Sequence, residues 1–443
     1  MPRNDKFALS NPVFSEPVFN ESGNPTPDPH GFTTPHPSDT QLYNQIQDLL
    51  AKDVVSFTQM RGNPQDLFSL SAALGEPGPQ MVQAIQAKNQ IAFQVIGDSG
   101  ASASSKYVDD VDVSDAITND YHTSNPASVP SFLYHVGDVV YDFCESQYWF
   151  DQFYDPYRNY PNPIFAIPGN HDSFVVPNTP PDQTPLTTFS SNFCAVSPVV
   201  TKEAGSLHRT AMTQPGVYFT LDAPFVRIIG LFSNALEDPG VISSESGKWT
   251  SVPDFQLDYL KAQLQQVVAE SYAGALLIAV HHPPFTYAPQ STGAGGDHYG
   301  SFAMLAEIDT ICSQVGVYPH AFLSGHAHNY QRYTRNLTFN GKAISVPCVV
   351  CGNGGHNVNS IVSPRGGVTP PLPTFKADVS YLDQSAVFSG TSLVINEFDV
   401  TCFGYLNVTA NATQLTIMYR QVNGNGTVFT PVVVDLATHT CQG

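Results

Sequence analysis

The sequence predicts an α/β protein built as two mixed β-sheets packed face to face and flanked by helices, four layers in all. Three observations lead there. From Ile91 onward, short apolar runs alternate with stretches of helical periodicity, the pattern of buried strands joined by crossover helices. Beyond about residue 344 the helical periodicity stops, and apolar runs separated by Asn-Gly turns read as antiparallel strands that need a sheet to join. At 443 residues, 42% of them hydrophobic, the chain can bury a core of that size.

Residues 1 to about 40 are rich in Pro, Asn, Ser and Thr without periodicity, and read as an arm that is disordered or lies across the surface. Asp39-Thr40 can cap a helix through Leu50, and a second helix falls near Pro79 to Ala87. Residues 1–90 are therefore expected to form an arm and a small helical preface, with one domain over 91–443. Its buried strands are Ile91 to Ile96, Phe132 to Val136, Ile164 to Ile167, Val226 to Leu231, Ala275 to Val280 and Ala321 to Leu323. Between them, Asp254 to Ala269 places Leu257, Leu260, Leu264, Val267 and Val268 on one helical face. Phe302 to Val315 carries Leu305, Ile308, Cys312 and Val315, with Gly316 positioned to end the helix. The stretch Ser99 to Pro130, with Asp109, Asp110, Asp112 and Asp115, reads as a solvated loop, with a lid as the second reading. Leu393 to Phe398 and Leu415 to Tyr419 are late strands, the last of which should complete the second sheet.

Charge narrows the function. Only 18 Lys+Arg face 38 Asp+Glu, a net charge of -20, so no basic stripe is available for a nucleic-acid backbone and an anionic membrane surface is disfavoured. No apolar run approaches the ~18 residues of a membrane span, and no apolar segment follows the basic N-terminal residues to make a secretory signal. The seven cysteines include Cys348 and Cys351 in a Cys-Val-Val-Cys spacing with no second such pair for a zinc site, and read mostly as small core residues. Five Asn-x-Ser/Thr sequons (Asn20, Asn336, Asn407, Asn411, Asn425) are no more than this composition yields by chance.

The chemistry lies immediately after the strands. Ile91 to Ile96 runs into Gly97-Asp98-Ser99-Gly100, and Phe132 to Val136 into Gly137-Asp138-Val139-Val140-Tyr141. Ile164 to Ile167 runs into Pro168-Gly169-Asn170-His171-Asp172, Ala275 to Val280 into His281-His282-Pro283, and Ala321 to Leu323 into Ser324-Gly325-His326-Ala327-His328. Each residue alone has an ordinary structural role open to it, a turn former or a core histidine. Five strand ends carrying metal-ligand types are a different matter, because C-terminal strand ends in an α/β sheet face one crevice and their side chains can converge. His281 follows its apolar run directly and is the expected ligand, whereas His282 points the other way across the pleat and suits an outer hydrogen bond.

That ordered set resembles the calcineurin-like metallophosphoesterases, and within them the purple acid phosphatases; it covers residues 97 to 328, and Gly352-Asn353-Gly354-Gly355 and the tail from Phe403 through Asp435 are similar to the family's closing segment. Gly100 stands where most metallophosphoesterases carry a ligand histidine, and Tyr141 is present to replace it. The resemblance implies ferric iron held by Asp98, Tyr141 and His328, and iron(II), zinc or manganese held by Asn170, His281 and His326, with Asp138 bridging. Ligand hardness agrees, since phenolate and carboxylate suit a trivalent ion and imidazoles with a neutral amide suit a divalent one. The implied activity is hydrolysis of small phosphate monoesters by in-line attack of a metal-bound hydroxide, with a phosphodiesterase or a metal-stabilised binding protein as the alternatives. His171 is the first candidate to protonate the leaving group, His298 in a Gly-rich loop the second, and His282 a candidate donor to phosphate. The family is commonly secreted, and its large members carry an N-terminal β-sandwich that residues 1 to 90 do not resemble; oligomeric state is not legible.

Overall fold

The computed structural model describes residues 31–36, 59–176, 183–235, 240–287, 298–361, 376–384, 387–424 and 426–443. The helix expected after Asp39-Thr40 and most of the N-terminal arm lie outside them. Described structure begins with β1 (Phe68–Ser69), α1 (Leu70–Leu74) and α2 (Gly78–Ala87), followed by β2 (Ile91–Ile96), α3 (Ser104–Asn119), β3 (Leu133–His135), β4 (Ile164–Ala166) and α4 (Thr187–Phe193). A hairpin of β5 (Phe219–Ala223) and β6 (Val226–Leu231) leads to α5 (Phe255–Ala269), β7 (Ala275–Val280), α6 (Phe302–Val315) and β8 (Ala321–Ser324). The remaining strands are β9 (Tyr330–Phe339), β10 (Lys342–Cys351), β11 (Ala377–Asp378), β12 (Ser392–Asp399), β13 (Gly404–Ala410), β14 (Gln414–Gln421), β15 (Val432–Asp435) and β16 (Thr440–Gln442).

Among the described residues these strands form two mixed sheets, β1-β5-β6-β7-β8-β10-β9-β12-β11 and β16-β15-β14-β13-β2-β3-β4. In the first, β6, β7, β8 and β10 run parallel; in the second, β2, β3 and β4 do. Strands β2, β6 and β7 are buried along their whole length, which is why they read as mostly apolar runs, interrupted only by Gln94 in β2 and Arg227 in β6, rather than as alternation. Aromatic rings join the two sheets: Phe219 of β5 packs against Tyr134 of β3 and Phe165 of β4, with centroids 6.2 and 6.5 Å apart. Tyr330 of β9 stacks on Tyr419 of β14 at 4.0 Å. Gly230 of β6 faces the Tyr134 hydroxyl so closely that a Cβ would stand 2.3 Å from it.

Helix α6 shows how the layer outside the sheet is held. Leu305 and Ile308 are fully buried, worth about 1.5–3 kcal/mol each relative to exposure, and Gly316 ends the helix with φ 86°. Arg335 of β9 donates to both Asp309 oxygens at 3.0 and 2.8 Å and to Asp383 at 2.8 Å, tying the helix to the sheet through buried, paired charge. Strands β13 to β16 complete the second sheet, while β12, grown from the Leu393 to Phe398 run, joins the first beside β9. The Asn340-Gly341 turn between β9 and β10 has positive φ at both residues, 50° and 78°, as a tight hairpin requires. Of the seven thiols, all free, Cys402 and Cys441 are half-buried and the others are core. No helix among the described residues is long and apolar enough to cross a membrane.

Two expectations fail. Val268 of α5 is 51% exposed, and the buried face instead includes Gln256, Tyr259, Gln263 and Leu264. The stretch Ser99 to Pro130 is not a solvated loop, because α3 packs Tyr107, Asp110, Val111, Val113, Ser114 and Ile117 inward. Asp110 is fully buried and neither carboxylate oxygen has a hydrogen-bond partner. Burial, with the Asp155 and Asp109 charges adding, pushes its carboxyl well above the ordinary value. A carboxyl raised in the folded state supports folding fully below its unfolded value and loses that support as pH climbs toward the folded one. Asp110→Asn should therefore melt higher than the wild type at pH 7 and at the same temperature at pH 4; a lower melting temperature at both pH values would contradict this account of Asp110.

Candidate metal centre

Register brings the motif residues together before any side chain is considered. Ile96, His135 and Ala166 lie in one row across β2, β3 and β4, so the loops that follow leave the sheet side by side. Backbone pairing continues past the strands, Asp98 N–H donating to the Gly137 carbonyl at 2.9 Å and Ser99 N–H to Asp138 at 3.1 Å. In the facing sheet, Gly325 N–H donates to the His281 carbonyl at 3.0 Å. His281 then crosses between the sheets, its Nδ1 donating to the Val136 carbonyl at 2.9 Å.

At the strand tips Asp98, Asp138 and His326 adopt φ of 58°, 57° and 68°. Non-glycine residues seldom take this left-handed conformation, and clusters of it mark sites where the fold enforces a side-chain direction. Here the directions converge. The Tyr141 hydroxyl lies 3.0 Å from Asp98 Oδ1, 2.9 Å from Asp138 Oδ2 and 3.1 Å from His328 Nε2. Asn170 Oδ1 lies 3.0 Å from His281 Nε2 and 3.1 Å from His326 Nδ1, and His281 Nε2 is 3.3 Å from Asp138 Oδ2. Asp138, His281 and His326 thus have donor atoms close enough to share one ion. Asp138 Oδ2 touches both groups, Asp98 with Tyr141 and His328 on one side and Asn170 with His281 and His326 on the other. All seven side chains are buried.

Proton bookkeeping tests whether metal ions fit these residues. The His281 Nδ1–H is committed to a carbonyl, so a neutral His281 directs a lone pair at Asn170 Oδ1 and Asp138 Oδ2, which are themselves acceptors. One phenol proton likewise serves two carboxylates. Added protons or cations relieve such contacts, and carboxylate, phenol, amide and imidazole are the donors hard and intermediate metals take. Metal ions fit.

The metal-free electrostatics reflect the same crowding. Burial, reinforced by Asp138, pushes the Asp98 carboxyl up to about 8 against the pull of His281. Burial would also raise Asp138, but the His281 and His171 charges and hydrogen bonds from His281 and Tyr141 hold it below the carboxylate range. His281 is pushed up to about 9, the Asp138 charge outweighing burial. His328 and His298 are pushed down to about 3, chiefly by burial.

The three candidate catalytic histidines occupy different places. His171, half-buried, donates its backbone N–H to Asp138 Oδ1 at 2.9 Å and its Nδ1–H to the Asp142 carbonyl at 2.8 Å. His298 is half-buried, with its ring 4.6 Å from His326 and 5.0 Å from His328; most of the Gly-rich stretch before it lies outside the described residues. His282 makes its hydrogen bond elsewhere. Its Nδ1 bonds Ser233 Oγ at 3.0 Å, its ring rests 4.3 Å from His326, and its Nε2 is buried without a partner.

Four residues near the site were not among the sequence candidates. Asp172 accepts N–H bonds from Val139 (2.9 Å), Val140 (3.1 Å) and Gly169 (2.9 Å), locking the Asp138 turn to the Asn170 turn. His135 Nε2 bonds Ser99 Oγ at 2.9 Å, and the Lys106 charge acts on His328 and His356. His356 stacks on Tyr141. The Gly352-Asn353-Gly354-Gly355 run pointed one residue short of it, whereas Asp172 carried a signal already, being a third polar residue in the Asn170-His171-Asp172 run. An Asn at 172 would set an amide group against three N–H donors that now bind a carboxylate, at a cost of about 1–3 kcal/mol. Asp172→Asn should lower the affinity for metal in a titration, and a variant that binds metal as tightly as the wild type would show that the two turns hold themselves.

The calcineurin-like phosphoesterase family model matches residues 92–330. No curated protein matches the chain. Among solved structures it is similar to purple acid phosphatase PPD1 from yellow lupin (Lupinus luteus) seeds, with TM-score 0.47 and 15% identity over 78% of this chain and 54% of that one, so the chain spans only about half of the lupin protein's length. It is also similar to PhoD, with TM-score 0.45 and 12% identity over 80% of this chain and 71% of that one. The family match takes in more than half of the sequence and every strand end from Asp98 to His328, and on that match the chain belongs to the calcineurin-like phosphoesterase family.

Proposed function

We propose that this phosphoesterase hydrolyses small phosphate monoesters at a binuclear metal centre of the purple acid phosphatase kind. The observation that carries the reading is the division of donors on either side of Asp138. Asp98, Tyr141 and His328 would hold ferric iron, Asn170, His281 and His326 would hold iron(II), zinc or manganese, and Asp138 would be shared. When bound, the two ions supply Lewis acidity, neutralise phosphate charge and make an activated water available near neutral pH.

The chain's own residues then bind, orient and move protons. Buried acids and imidazoles exclude bulk water from the reacting region. His171, whose Nδ1–H is held by the Asp142 carbonyl, would carry a proton to a leaving alkoxide on Nε2. His298, whose ring lies against His326 and His328, would contact the phosphate ester. His282, held by Ser233, supports the His326 ring rather than reaching Asp138. An acidic protein with a net charge of -20 still attracts phosphate at such a site, since the resident cations would dominate the local field.

Turnover on a panel of phosphate monoesters and diesters, with metal analysis of the same sample, tests the proposal. Monoesters should be hydrolysed at least tenfold faster than diesters, with two metal ions per chain; faster diester turnover would make the protein a phosphodiesterase, and metal without turnover a binding protein.

The neighbouring histidines provide a second check. His281→Ala should lose the divalent ion and nearly all activity, whereas His282→Ala should keep two ions and lose activity by roughly 10- to 100-fold, as groups that orient ligands do. One ion in the His282 variant and two in the His281 variant would reverse the assignment.

A further inference from the structure

Tyr141 is held between two imidazoles. The His356 ring stacks on it with centroids 3.5 Å apart and planes at 11°, and the His171 ring packs at 4.2 Å and 38°. Two rings that close cannot share one face of the phenol, so they take opposite faces. His356 is itself fixed twice over: its backbone N–H donates to the Asp98 carbonyl at 3.0 Å, and its Nδ1–H donates to the Gly100 carbonyl at 2.8 Å. Both anchors belong to the loop that carries Asp98. The same loop leaves no room for a side chain of its own at residue 100, where a Cβ would stand 2.6 Å from the Val139 carbonyl oxygen and 2.8 Å from Gln152 Oε1. Gln152 Oε1 in turn accepts the Tyr141 N–H at 2.6 Å. The phenol is thus gripped at its backbone by Gln152 and at its face by a ring brought in from residue 356, outside the span of the family match.

We infer that His356 is a positioning residue for Tyr141, clamping the phenol so that its oxygen stays at the meeting point of Asp98, Asp138 and His328 and setting the energy of phenolate-to-metal charge transfer. The inference rests on the reading of Tyr141 as an iron ligand and goes beyond it by assigning a role to a residue outside the ligand set. The physical reason is exclusion of water. A neutral imidazole face, its one N–H committed to Gly100, covers the phenol without offering the oxygen a hydrogen bond. With that ring removed, water reaches the phenolate oxygen and stabilises its electron pair, so transfer of an electron to ferric iron requires more energy. The ring also gains freedom to tilt, which spreads the oxygen's position and weakens every contact that depends on it.

The test is the visible absorption of the iron-loaded protein and of His356→Phe, His356→Gln and His356→Ala, with Tyr141→Phe as the control and melting of the metal-free proteins as the check on folding. His356→Phe keeps the stack without the Gly100 bond and should retain the wild-type band and rate. His356→Gln, which can keep a polar contact to Gly100 without the stack, should resemble His356→Ala: a band moved to shorter wavelength and broadened, with kcat reduced by roughly 10- to 100-fold and KM changed far less. A wild-type band in His356→Gln or His356→Ala overturns the clamp, as does a shifted band in His356→Phe. A wild-type protein with iron but no band, or a band that survives Tyr141→Phe, would instead remove the Tyr141 reading on which the clamp depends, and the clamp with it.

Discussion

A single buried carboxylate has to serve two groups of donors. Asp138 Oδ2 lies within 2.9 Å of the Tyr141 hydroxyl and 3.3 Å of His281 Nε2, while Oδ1 takes the N–H of His171. Much of the local structure follows from keeping that group in place. The chain turns left-handed at Asp138 to aim it, and Gly169 has no side chain because a Cβ there would stand 2.1 Å from Oδ1. Asp172 holds the two turns in register from below. The two-sheet architecture supplies the rest, for the parallel strands of one sheet deliver the acids, Tyr141 and Asn170, those of the other deliver the histidines, and the His281 to Val136 hydrogen bond spans the gap.

A site of this kind is costly without cations. Asp98 and Asp138 cannot both ionise comfortably at such separation in a buried place, and His281 is left to carry the compensating charge. The fold therefore stores an electrostatic demand that binding of positive ions relieves, and binding free energy becomes stability of the strand tips. The acidity of the whole chain belongs to the same picture. With few Lys and Arg to compete, ions rather than side chains would supply the positive field that an ester phosphate needs.

Much of this was legible in sequence because buried parallel strands and strand-tip ligands both leave local signals. Ile91 to Ile96, Val226 to Leu231, Ala275 to Val280 and Phe302 to Val315 match the observed elements to the residue, and the seven ligand-type residues do meet. What escaped depends on long-range packing. Helix α3 hides Asp110 and Ser114 on its inner face, so it lacks the apolar stripe by which helices are recognised, and its fourfold Asp content imitates a solvated loop. Strand β1 is two residues long and exists only because β5 lies beside it. His356 sits 215 residues from Tyr141 in sequence, and no spacing rule connects them. The reading of His281 as ligand and His282 as an outer group rests on a strand's alternation of faces; His281 Nε2 lies 3.3 Å from Asp138 Oδ2, and His282 Nδ1 bonds Ser233 Oγ at 3.0 Å.

The central claim is that Asp138 joins two metal sites rather than completing one. Crystals of the protein as purified, measured by anomalous diffraction above and below the iron and zinc absorption edges, test this most directly. The account predicts two peaks flanking Asp138, one bounded by Asp98, Tyr141 and His328 and containing iron, the other bounded by Asn170, His281 and His326. A single peak among Asp138, His281 and His326, with the Tyr141 hydroxyl still hydrogen-bonded to Asp98, would contradict it.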